Sequence, residues 1–130
     1  ALRFHSRVKD LGDEARCSVC GVPGRLTRTE SVLRWPSVLS IGIQRQDLSD
    51  QKIATALSFH LTLTVVDGIT YDLRGVVVRV GARVRSGHYI AYVCGRGGQW
   101  FHCEDHLKPH EVPADKVLSV EVYTLFYEKR

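Results

Sequence analysis

Residues 86–105 read SGHYIAYVCGRGGQWFHCED, and this stretch decides the fold. Two runs rich in aromatic and β-branched residues flank a Gly95-Arg96-Gly97-Gly98 segment, the pattern of two antiparallel strands joined by a short glycine-bearing loop. His88 stands at the mouth of the first run, directly behind Gly87. Glu104 and Asp105 stand at the end of the second. A glycine carries no Cβ, so its backbone can be approached closely by another extended chain.

Moving outward, short runs of Val, Ile, Thr and Tyr bounded by Asp-Gly, Pro and Gly-Gly signals predict strands near 26–34, 38–45, 57–66, 69–80, 87–95, 99–104 and 120–128. The Asp67-Gly68 pair is a hairpin signal, because the favoured tight turn requires positive φ. Leu2, Phe4, Val8 and Leu11 partly match one helical face and predict a short helix over 1–11. A second short helix is expected where PADKVL places Pro113 near a first turn. The polar segment Gln46 to Lys52 is the one candidate linker. An α+β domain with a mostly antiparallel sheet and few helices follows.

A chain of 130 residues with 44% hydrophobic and 25% charged residues fits one ordinary globular domain. No apolar run approaches the roughly 20 residues that a membrane helix needs, so no membrane partner is expected. The net charge is +4, and thirteen of the eighteen basic residues are arginine, a planar cation suited to carboxylate or phosphate. They are scattered, which fits a solvated face better than a nucleic-acid patch. Cys17, Cys20, Cys94 and Cys103 do not form a dense disulfide framework, and a reducing cytoplasmic or nuclear setting is expected. The chain begins at Ala1 and holds no methionine, which points to a piece of a longer protein.

Three groups of residues could carry chemistry. An imidazole such as His88 can move protons at neutral pH, although a histidine in a strand is also an ordinary packing residue. Glu104 and Asp105 could orient it, or serve only as exposed turn carboxylates. Cys17-Ser-Val-Cys20 has the spacing at which two thiolates take adjacent corners of a tetrahedron around zinc; a metal-free turn with two reduced thiols is the alternative. His102, Cys103, His106 and His110 crowd a further short segment, but Pro109 forbids a regular helix there and the spacing matches no standard zinc finger.

The segment SGHYIAYVCGRGGQWFHCED resembles the histidine box of the ubiquitin-specific proteases, a papain-like family of deubiquitinating enzymes. Upstream, Tyr71, Leu73, Gly75, Val76 and Val77 precede it much as that family's Tyr-x-Leu-x-Ala-Val-Val segment does. The stretch RWPSVLSIGIQRQ resembles the family's Leu-Pro-x-Val-Leu strand, with Trp35, Pro36, Val38, Leu39, Ile41 and Arg45 in step. CSVC is similar to the second half of its zinc-binding finger. These features keep the family's order across nearly the whole chain and correspond to the carboxy-terminal half of the catalytic domain.

The resemblance implies a papain-like fold, with a finger base over 1–34 carrying the knuckle and a palm over 35–130 carrying the histidine box. It assigns His88 as general acid/base and Glu104 or Asp105 as its orienter. Gly87, Tyr89 and Trp100 are implied to line the channel for a glycine-ended tail, and Cys17 and Cys20 to be half of a zinc site. Glu104 departs from the family's Asp or Asn by one methylene, Cys103 replaces a bulky ring, and Arg79 stands where histidine is common. Arg83 and Arg85 would repel an arginine-bearing tail unless they point away. The family's attacking cysteine has no counterpart among these residues. The implied partners are ubiquitin or a related modifier and the missing amino-terminal half. Two readings follow: half of a deubiquitinase, or an inactive ubiquitin-binding or scaffold module of the same fold.

Overall fold

The computed structural model describes residues 7–12, 15–24, 26–45, 56–65, 68–83 and 86–130. The 46–52 linker lies outside these residues, as do Asp67 and Arg85, and the Arg83 side chain is not described. The chain divides into two units, one ending at Trp35 and the other beginning at Pro36.

In the first unit β1 (Arg7–Asp10) pairs antiparallel with β2 (Thr27–Glu30), in the register Arg7↔Glu30 to Asp10↔Thr27. The helix expected over 1–11 is therefore corrected for residues 7–10, and residues 1–6 lie outside the described ones. Within the described part the helical spacing rests on Val8 and Leu11 alone, too little to outweigh a ladder of cross-strand hydrogen bonds. Beyond β1 the Leu11 amide continues that ladder to the Leu26 carbonyl at 2.9 Å. Gly12, at φ 81°, then turns the chain.

Among its described residues the second unit forms one sheet of seven strands: β3 (Val38–Gly42), β4 (Thr62–Thr64), β5 (Thr70–Arg83), β6 (Ser86–Cys94), β7 (Trp100–Cys103), β8 (His110–Val112) and β9 (Val122–Lys129). The order is β3-β9-β5-β6-β7-β8, every pairing is antiparallel, and β4 lies beside the start of β5. The one helix among the described residues, α1 (Ala114–Leu118), follows Pro113 as expected and buries Val117. β8 was not expected: two prolines bracket three residues, too few for a periodic signal, and only the register with β7 makes them a strand. Gly68, at φ 71°, closes the β4–β5 turn, where the Val65 amide donates to the Ile69 carbonyl at 2.9 Å.

β5 organises the sheet, with β9 along one side and β4 then β6 along the other. Alternation requires buried side chains two residues apart, yet β5 buries Tyr71 and Leu73, then Val76 and Val78. A register shift between Leu73 and Gly75 accounts for the change of parity. On β9 the buried residues are Val122, then Leu125 and Tyr127, and a second shift lies opposite Val77 and Val78. Each bulge inserts one residue and returns the following apolar positions to the same face. Without them half of each strand would turn its hydrophobic set to water.

Two buried phenols finish the core. Tyr71 donates to the Pro36 carbonyl at 2.6 Å and Tyr127 to the His60 carbonyl at 2.8 Å. Burial pushes the Tyr127 phenol up to about 12. Arg45, also buried, donates through Nε to the Val122 carbonyl at 3.1 Å and so ties the segment after β3 to β9.

The end of β9 is held to β5 by charge. Arg130 Nε lies 3.0 Å from both Asp72 oxygens and Nη2 lies 2.8 Å from Oδ1, a bidentate clasp that holds the Asp72 carboxyl below its ordinary value. A carboxylate depressed in the folded state stabilises the fold above its unfolded value and loses that contribution as pH falls through the folded one. Urea unfolding should therefore find Asp72→Asn destabilised at pH 7 and indistinguishable from the parent at an acid pH where the carboxyl is protonated in both the folded and the unfolded state. An equal deficit at both pH values would remove the charge argument.

Candidate active site

The β5–β6–β7 register builds the site. His88 pairs with Val80, and Ala91 pairs with Cys103, so the β6–β7 ladder ends one residue before Glu104. Alternation puts His88, Ile90 and Tyr92 on one face of β6, and Trp100 and His102 on the same face of β7. Glu104 continues that parity just past the strand end, diagonally across from His88. A diagonal cross-strand separation is about 7–8 Å, a span suited to the longer arm of glutamate.

The side chains meet there. His88 Nε2 lies 3.0 Å from Glu104 Oε1, and His88 Nδ1 lies 3.6 Å from Asp105 Oδ2. The first is a charge contact that lacks hydrogen-bond alignment. His88 is 42% exposed, Glu104 33% and Asp105 68%, so the ring sits where the core face opens to solvent, with the more sheltered carboxylate on Nε2. The Leu107 amide donates to the Glu104 carbonyl at 3.0 Å, which turns the chain and sets both acids beside the ring.

One neighbour was missed as part of this group. His102 Nε2 lies 4.0 Å from Glu104 Oε2, its ring centroid 5.2 Å from Tyr92 and 4.9 Å from His110. Glu104 thus faces two imidazoles, and burial together with its negative charge raises the Tyr92 phenol. The clustering of His102 and His110 was visible in the sequence, but their meeting depends on β8 pairing with β7.

The remaining expected residues separate. Trp100 is 4% exposed and packs in the core of this sheet. Tyr89 is exposed and meets Tyr123 edge-on, with centroids 6.4 Å apart. A Cβ built on Gly87 would lie 2.4 Å from Arg79 Nε, so a guanidinium of this chain stands close against that glycine. Cys103 has the opposite parity to His88 and points to the other face. Cys94 shares the face but stands six residues along the strand, about 20 Å away. Neither thiol can reach the imidazole, which disposes of a local nucleophile. His102, Cys103, His106 and His110 form no metal group, and no cluster of three or more ligands occurs among the described residues.

Cys17 and Cys20 form a tight knuckle. The Gly21 amide donates to the Cys17 carbonyl at 2.9 Å, Gly21 adopts φ 68°, and Arg16 Nη1 donates to the Gly21 carbonyl at 3.2 Å. The Cys20 and Val19 backbone amides point at the Cys17 sulfur and lower its thiol below the ordinary value. Amides aimed at a sulfur favour thiolate, the form that binds metal, so the pair has the chemistry and spacing that one side of a tetrahedral zinc site requires.

With this geometry in hand, comparison with known proteins is direct. The family model described as ubiquitin carboxyl-terminal hydrolase matches residues 3–127. The chain belongs to that family. Relatives include ubiquitin carboxyl-terminal hydrolase 25 of Arabidopsis thaliana, 29% identical over 97% of this chain and 20% of its own length. The nonstop hydrolase of Drosophila melanogaster is 30% identical over 98% of this chain and 28% of its own length. Among solved structures, the yeast SAGA DUB module with an Sgf73 mutant gives a TM-score of 0.84 at 28% identity, covering 96% of this chain and 31% of that one. The Ubp8/Sgf11/Sus1/Sgf73 SAGA DUB module bound to monoubiquitin gives 0.82 at 28% identity, covering 96% and 30%. The chain therefore has the papain-like fold of these hydrolases, mostly antiparallel sheet with little helix, and spans less than a third of the length of each of these proteins. No helix among its described residues is long and apolar enough to cross a membrane.

The knuckle yields a prediction free of any assumption about activity. In chelator-treated protein near pH 7, Cys17 should be alkylated by iodoacetamide faster than Cys20, as read by peptide mass spectrometry. Equal rates would show that the amides do not stabilise its thiolate.

Proposed function

We propose that this chain is the histidine-bearing part of a deubiquitinase catalytic domain, hydrolysing the bond after the carboxy-terminal glycine of ubiquitin once joined to a cysteine-bearing half. The observation that carries this reading is the imidazole of His88 with a carboxylate beside each ring nitrogen, 3.0 Å and 3.6 Å away, at the open end of the sheet. Membership of the hydrolase family and the likeness to a module solved with monoubiquitin support it. No observation favours the inactive scaffold over it.

In this reading Glu104 is the orienter. It faces Nε2 and stabilises the imidazolium that forms when Nδ1 takes the proton of the thiol. The thiolate attacks the carbonyl carbon of the terminal glycine, the imidazolium returns its proton to the departing amine, and water activated by the same nitrogen hydrolyses the thioester. Asp105, more exposed and on Nδ1, has to yield that nitrogen to the thiol. The larger cost should therefore follow from Glu104.

The experiment uses the full-length protein that carries this chain and a fluorogenic ubiquitin carboxy-terminal substrate. His88→Ala should lower kcat by about 10⁴-fold or more, Glu104→Gln by about 10²–10⁴-fold, and Asp105→Asn by less than about tenfold. Undiminished activity in His88→Ala would end the reading, and a reversed order of the two acids would move the orienting role to Asp105.

Cys17 and Cys20 would hold one side of a structural zinc ion, with two further ligands from outside this chain. Bound zinc would contribute folding energy to the finger base and no catalytic step. Zinc measured by inductively coupled plasma mass spectrometry should fall by one equivalent in Cys17→Ser, and an unchanged content would place the metal elsewhere or nowhere.

A further inference from the structure

Gly87 and Arg79 lie on the same face of adjacent strands, the face opposite His88. Arg79 pairs with Tyr89 and Val80 with His88, so Gly87 is the diagonal neighbour of Arg79. The guanidinium stands against the glycine: a Cβ at Gly87 would fall 2.4 Å from Nε, 2.8 Å from Cζ and 2.8 Å from Nη2. Three atoms of one planar group at these distances mean that the plane occupies the volume of the missing side chain. The same guanidinium stands 5.9 Å from the Tyr89 ring centroid, within cation–π range, and Arg79 is only 5% exposed.

The position matters because the strand pairing is irregular there. The β5–β6 ladder shifts register between Val80↔His88 and Arg83↔Ser86, and Gly87 lies within that irregularity. Backbone hydrogen bonds alone do not fix the last residues of a strand beside such an irregularity. A buried planar cation packed on Gly87 and Tyr89, the two residues that flank His88, grips the strand on either side of the imidazole. Lysine could keep the charge but has no flat face to lay on the glycine.

We propose that Arg79 is a positioning residue for His88: its guanidinium takes the place of a side chain on Gly87 and clamps the strand end that carries the imidazole. Gly87 is glycine on account of Arg79 rather than of a passing substrate. The catalytic role of His88 in this statement rests on the function proposed above, whereas the fit between Arg79 and Gly87 does not.

A double-mutant cycle in the full-length protein tests both parts. The first readout is thermal unfolding, which needs no activity. Gly87→Ala should lower Tm in the parent and lower it much less in an Arg79→Ala background, because the methyl then enters the vacated space. If Gly87→Ala costs the same in both backgrounds, the clamp does not exist. The second readout is turnover of the ubiquitin substrate. Arg79→Ala and Arg79→Lys should each lower kcat about tenfold with KM held within about twofold, since the imidazole is loosened while tail binding is intact. A raised KM with unchanged kcat would instead make Arg79 a substrate contact and overturn the positioning role, as would full kcat in Arg79→Lys. His88→Ala in the same series separates the two claims: activity retained there defeats the catalytic reading, while the Tm cycle still decides the fit of Arg79 on Gly87.

Discussion

The site depends on strand register. His88 and Glu104 are sixteen positions apart in sequence and meet because β6 and β7 pair with Ala91 opposite Cys103. A slip of one residue would send the imidazole and the carboxylate to opposite faces. What prevents the slip is burial: Tyr92 and Trp100 must both face the core, and only this register satisfies both. The hydrophobic core and the polar site are in this sense one constraint, since the packing that stabilises the sheet also sets where its polar end residues fall.

β5 carries that constraint across the sheet. Its fourteen residues touch β4, β6 and β9, and its bulge near Arg74 keeps Tyr71 and Leu73 on the same side as Val76 and Val78. The bulges have a functional consequence as well as a packing one. They bring the apolar face to its end at Val80, half-exposed, opposite His88.

Much of this was legible in the residues. The hairpin around Gly95–Gly98, the strands at both its arms, the helix after Pro113 and the grouping of His88 with Glu104 and Asp105 all follow from local pattern and resemblance. What was not legible depends on partners far away in sequence. β8 has three residues between prolines and acquires its identity only from β7, and with it comes the meeting of His102 and His110. Trp100 carries an aromatic signal from which its degree of burial could not be read, and the structure places it in the core. The bareness of Gly87 admitted two explanations, a passing peptide or a packed neighbour, and no pattern within the strand could name Arg79 as the neighbour. At residues 7–10 the helix read over 1–11 gives way to a strand for a related reason, because a four-residue segment takes the structure that its cross-strand partner offers.

β8 has one more effect. It is the outermost strand beside the acid pair, and Pro109 and Pro113 stand immediately before and after it. Proline lacks the amide hydrogen that a newcomer strand would seek, so the free side of β8 offers too short a row of donors to template another chain. A strand arriving along this edge would therefore find few amide donors to pair with beside the acid pair.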